Sequence, residues 1–227
     1  MEKFLNKDNL PVQEYVEKYK LHQLIQYDNI ETEKKINESV DVDNLESYPP
    51  NWEDLVRLHK LVIERKVTTI LEFGSGYSTV ILAHALNIKK KIHANYVLNN
   101  LRRNNAFELH SLETYDKFFE ITSSYIPKHL KKIVNLYHEK VCMSEFQSRI
   151  CTFYNQLPNI SPDFIYLDGP DIYNVKENIR GRSTRHPDSV PMSADILAIE
   201  HFLLPGTMIL IDGRTANARF LKNNFQR

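Results

Sequence analysis

Five of the six glycines in this chain stand at the edges of short apolar runs, and that economy limits the fold more than any other feature. "VTTILEF" (67–73) runs into Gly74 and Gly76, "DFIYLD" into Gly169, and "TMILID" lies between Gly206 and Gly213. Short, β-branched runs that are apolar at consecutive positions suit strands covered on both faces. After the first glycine turn, "YSTVILAHAL" returns to helical spacing. Strand, glycine turn and helix, repeated, predict an α/β fold with a doubly wound, mainly parallel sheet. The strands are expected at "VTTILEF" (67–73), "AFELHSL" (106–112), "KIVNLYHEKV" (132–141), "DFIYLDGPD" (163–171) and "GTMILIDGR" (206–214). Helices are expected from "ETYDKFFEITSSYI" and "SADILAIEHFLL".

Ahead of this pattern lies a segment of different character. Residues 1–50 are polar, contain no glycine and end at Pro49-Pro50, so they read as a helical N-terminal extension to a domain over 51–227. "NWEDLVRLHKLVIERK" then carries a helix-start signature. Asn51 can cap, Glu53 and Asp54 suit the positive helix end, and Leu55, Leu58, Leu61 and Val62 share one face.

Composition narrows the functional classes. With 29 basic and 29 acidic residues, the overall charge gives no argument for nucleic acid or a membrane surface. "MEKFLNKDNL" has no apolar core of a signal peptide, and "FLLPGTMILI" is too short to span a bilayer. Cys142 and Cys151 lack metal-ligand spacing and read as reduced thiols. A soluble, cytoplasmic protein is expected.

Glycines at the carboxyl ends of strands lie where open α/β sheets bind ligands. "GSGYST" has no lysine, which excludes the phosphate-gripping P-loop. A dinucleotide fingerprint would want glycine at Thr79 and would set pyrophosphate near Glu72, whose charge repels it. A ligand with a positive centre and no phosphate fits the acid.

On these residues, "LEFGSGYST" resembles the first motif of class I S-adenosylmethionine-dependent methyltransferases, a Rossmann-like family, over about Val67 to Leu221. The resemblance implies that the turn of Gly74, Ser75 and Gly76 lies against the methionyl part of the cofactor. It implies that Glu72 helps hold the amino group and that Ser78 stands in place of a third glycine. The family's second acid grips the ribose; here the candidate is Glu113, although it follows Glu72 by 41 positions rather than about 20. "NIKKKIHANYVLNNLRRNN" is then an insertion or a lengthened helix.

Asp168 and Asp212 end two later strands. They are the candidate catalytic pair, with Asp168 as base, and candidate ligands of a divalent cation, an arrangement that resembles catechol-type O-methyltransferases. Gly213 stands where that group has asparagine, and Asn217 is a possible replacement ligand. Arg180, Arg182 and Arg185 lie in the following loop and suit an anionic or sugar-like acceptor. Asp195, after Ser193, reads as a helix cap. The expected activity is O-methylation of a small-molecule or glycan acceptor. The alternatives are a nicotinamide- or nucleotide-dependent oxidoreductase and a non-catalytic Rossmann-like binding domain. The family's last two strands have no counterpart here, and an uncovered sheet edge favours a homodimer.

Overall fold

The computed structural model describes residues 10–25, 49–171, 174–175, 177–184 and 192–226. Its centre is a five-stranded parallel sheet of β1 (Thr69–Phe73), β2 (Glu108–Glu113), β3 (Val134–His138), β6 (Phe164–Leu167) and β7 (Met208–Ile211), in the order β3-β2-β1-β6-β7. All four pairings are parallel, with Phe73 level with Leu112 on one side and Leu167 on the other. Each strand falls within or close to an expected run: β1, β6 and β7 end where Gly74, Asp168 and Asp212 take the chain out of the ladder, β2 reaches one residue further to Glu113, and β3 covers only part of its run.

Burial on both faces follows from the continuous apolar runs. Ile70, Leu109 and Phe164 join a core with α2 (Trp52–Glu64) and α3 (Tyr77–Asn100). Leu71, Phe73, Leu112, Ile165 and Leu167 join a second core with α5 (Asp195–Ala198) and α6 (Thr215–Asn224). Alternate residues of one strand thus feed opposite layers. The order reverses between β1 and β6, which is the switch point where ligand crevices open in such sheets.

Asn51 caps α2 as expected, its side chain accepting from the amides of Glu53 and Asp54. Before it, α1 (Val12–Tyr19) docks on α2: the Tyr15 hydroxyl meets His59 Nδ1 at 2.8 Å, and His59 Nε2 meets His84 Nδ1 at 3.0 Å. A 3₁₀ turn, Leu21–Gln23, follows and buries Leu21, while residues 1–9 and 26–48 of the extension fall outside the described residues. The long spacing between Glu72 and Glu113 is a lengthened helix. α3 takes in "NIKKKIHANYVLNN" and runs 24 residues, about 36 Å. α4 (Asp116–Tyr125) follows β2 as expected.

Three expectations need correction. The run 132–141 is not one strand: β3 ends at His138, and Val141 starts β4 (Val141–Phe146), which pairs antiparallel with β5 (Arg149–Tyr154) in a separate hairpin. Gln147 and Ser148 make its turn with positive φ of 49° and 63°, without the glycine that would have signalled it. The helix over "SADILAIEHFLL" is one short α-turn and a 3₁₀ turn, Glu200–Phe202. Asp195 lies inside α5 and does not cap it: its carboxylate accepts from the Tyr154 amide and the Ser193 hydroxyl, tying β5 to the segment before α5. Among the described residues no strand follows β7, and no helix is long and apolar enough to cross a membrane.

Candidate functional site

The carboxyl ends of β1, β2, β6 and β7 bring Glu72, the glycine turn, Glu113, Asp168 and Asp212 to one edge of the sheet. The glycines of the turn differ in what requires them. Gly74 has φ +89°, and an added Cβ would come within 2.7 Å of Gly169 N. Gly76 is in extended backbone, and a Cβ there would meet nothing within 4 Å. Packing therefore demands glycine at 74. At 76 the missing side chain leaves open space beside the start of α3.

The acids divide in the same way. Glu72 is fully buried, and its two carboxylate oxygens accept from Ser78 Oγ at 2.6 Å and Thr79 Oγ1 at 2.7 Å. It staples the first turn of α3 to β1. Burial pushes its carboxyl up to about 7, against the pull of those two hydroxyls. Glu113 accepts four hydrogen bonds: Ser75 N and Oγ on Oε2, both at 2.9 Å, and the amides of Thr114 and Tyr115 on Oε1 at 2.9 and 3.1 Å. A carboxylate offers about four lone-pair positions, so this one is saturated. Burial still raises its pKa. Both acids shape the turn that would receive a ligand, Glu72 with one hydrogen bond on each oxygen and Glu113 with two on each.

Asp168 is exposed and Asp212 half-buried, whereas Glu72 and Glu113 are buried. Burial of the inner side of Asp168, and then the charge of Asp212, push its carboxyl up to about 6, while Arg214 pulls the other way; the open side damps the push. Asp212 accepts from Tyr166 Oη at 3.0 Å. Among the described residues no three His, Cys, Asp or Glu side chains group as metal ligands. Asn217 cannot serve as a replacement ligand: it is fully buried, and its amide accepts from Ser193 N and donates to Ser193 O, both at 3.0 Å.

Several residues here went unrecognised in the sequence. Gly169-Pro170 is a cis peptide, and the Asp168 and Gly169 amides both point at Phe73 O. Arg214 donates through Nη2 to Pro170 O at 2.8 Å, and Thr114 Oγ1 donates to Asp171 at 2.8 Å. Tyr154 comes from the unforeseen hairpin, and its hydroxyl would lie 2.9 Å from a Cβ on Gly169. That hydroxyl and Arg214 Nη1 are buried without a protein partner. Arg214 follows Asp212 by two positions in "LIDGR", a basic residue close to a candidate acid, and the fold adds Asp168 and Asp171 to the charges around it.

The arginine loop goes elsewhere. Arg180 pairs with Glu145 of β4 at 3.3 Å, and Arg182 borders a recess of about 170 Å³ against Met143, Ile150 and Thr152. Both lie along the hairpin, and neither is brought to Asp168; Arg185 is outside the described residues. No protein-family model matches the chain, and no curated protein matches it.

Proposed function

We propose that this edge binds S-adenosylmethionine in a Rossmann-like methyltransferase fold and that the chain methylates oxygen of a small-molecule or glycan acceptor. The observation that carries the reading is Gly76, a glycine that neither φ nor packing requires, at the start of a helix and behind an acid-lined strand end. Space kept clear of a Cβ beside helix amides suits close approach of a ligand backbone. The roles first given to two acids change. Glu72 and Glu113 hold the turn, and Asp168, the most exposed of the four acids, is the candidate partner for a cationic group and the candidate base. Its raised pKa suits proton removal near neutral pH. Asp212, held by Tyr166, assists by charge. A divalent cation is left out of the proposal.

Titration calorimetry with S-adenosylmethionine and S-adenosylhomocysteine tests it. Both should bind the wild type, and Gly76→Val should abolish binding while leaving the thermal melt in place. Binding of neither, or of NAD(H) instead, overturns the reading. The saturation of Glu113 favours a second reading, a non-catalytic binding domain on this fold. Methyl transfer to any acceptor in an extract screen would dismiss it.

A further inference from the structure

The formal net charge of zero hides a segregation. The acids described above gather at the carboxyl ends of the strands, whereas the opposite end of the sheet is basic. Arg65 and Lys66 precede β1, Arg102 precedes β2, and Lys128, Lys131 and Lys132 precede β3; all six are exposed. Of the acids at this end, Asp163 pairs with Arg103 at 2.9 Å, Glu108 hydrogen-bonds His110 at 3.0 Å, and Glu64 stands beside Arg65 and Lys66.

α3 projects from the same end. It starts at the carboxyl end of β1 and runs back past the sheet, about 36 Å of helix against about 17 Å for the five residues of β1. Lys89 Nζ caps the end of α2 through Ile63 O and Arg65 O, and beyond that point α2 no longer covers the helix. The tip exposes Ile92 (67%), Tyr96 (61%) and Leu98 (82%), flanked by Lys90 and Lys91. Between Phe73 and Phe107 the chain has no acidic residue.

We propose that this end of the molecule docks on an anionic lipid surface, with the tip of α3 entering the headgroup region. The charge fits phosphate-bearing headgroups, each nearby Lys or Arg adding attraction. The apolar side chains decide between lipid and other polyanions. At about 100° per residue, Leu98 lies about 120° from Ile92 and about 160° from Tyr96 around the helix. A protein groove reads one helix face, and a nucleic acid backbone offers nothing to leucine or isoleucine. Val97 is buried, so the exposed apolar groups lie on two faces of the tip, either side of it; a fluid interface accepts both, with tyrosine at the boundary and lysines snorkelling to the phosphates. In that pose the candidate site faces away from the membrane.

Vesicle flotation tests this with phosphatidylcholine alone and with added phosphatidylglycerol, at low and raised salt. The wild type should bind only the anionic vesicles and leave them as salt rises. Lys90→Glu with Lys91→Glu, and separately Ile92→Ser with Leu98→Ser, should each weaken partition at least about tenfold. All four positions are exposed, so unchanged circular-dichroism melts verify the fold. Failure to bind anionic vesicles at low salt overturns the proposal. So does binding that ignores the Ile92 and Leu98 changes, or that a short single-stranded RNA matches with the same lysine dependence.

Discussion

Gly74 and Gly169 stand back to back where the loops after β1 and β6 meet: a Cβ on either would come within 2.7 Å of the other's backbone nitrogen. Gly74 also holds φ +89°, which a side chain disfavours. Gly74→Ala should therefore cost about 2–4 kcal/mol of stability, from strain and overpacking together. Gly76→Ala, in open space, should stay within about 0.5 kcal/mol of the wild type. Urea unfolding of the two variants separates the structural glycine from the one kept for a ligand. Equal losses would remove the basis for reading Gly76 as a cradle.

Glu113 ties the loop after β1 to the loop after β2 through Ser75, with its four donors all backbone or hydroxyl groups. Glu113→Gln replaces one acceptor oxygen by an NH₂ that faces donors. About 2–3 kcal/mol should be lost with no ligand present, from the donors left unpaired in a buried place. A residue waiting only for ribose would show no such loss in the free protein, and denaturant melts distinguish the two.

What could be read ahead of the structure, and what could not, follows from where each signal resides. The parallel strands were legible because their burial on both faces writes continuous apolar runs, as at Ile70-Leu71 and Ile165-Tyr166. The cap at Asn51 was legible because its chemistry is local. The β4–β5 hairpin was not: half-buried strands such as "VCMSEF", joined by a Gln147-Ser148 turn, carry neither a clean apolar run nor a glycine. The acids were found, but the direction of their side chains was not. Whether Glu72 faces a ligand or Thr79 depends on a rotamer and on the first turn of α3, and a motif records neither.

The burial of Glu72 makes a sign-definite prediction. Its carboxyl is raised from 4.5 to about 7, so between those values the folded protein holds a proton that the unfolded chain releases. Its contribution is least favourable above pH 7 and improves as pH falls towards 4.5. Glu72→Gln, neutral and of the same shape, should be more stable than the wild type at pH 8, by up to about 3 kcal/mol, and equal to it near pH 4. Chemical denaturation of both proteins at the two pH values checks this. A variant less stable at pH 8 would mean that the carboxylate is held by a compensating charge.

The chain Tyr15–His59–His84 responds to pH in the opposite sense. Burial is the first cause for both histidines, lowering His59 from 6.5 to about 3 and His84 to about 4. Each is neutral when folded, while the unfolded chain takes up a proton below pH 6.5. Their contribution is therefore complete above 6.5 and is lost as pH falls from there towards 3. The first contact to give way should be the docking of α1, since Tyr15 Oη rests on His59 Nδ1 at 2.8 Å. Tyr15→Phe should cost about 1–2 kcal/mol at pH 7 by leaving His59 short of a partner. Amide exchange over 12–19 should rise between pH 6 and pH 4 before exchange in β1 does. If the two segments open together at every pH, α1 is part of the cooperative core and the histidine chain does not govern its docking.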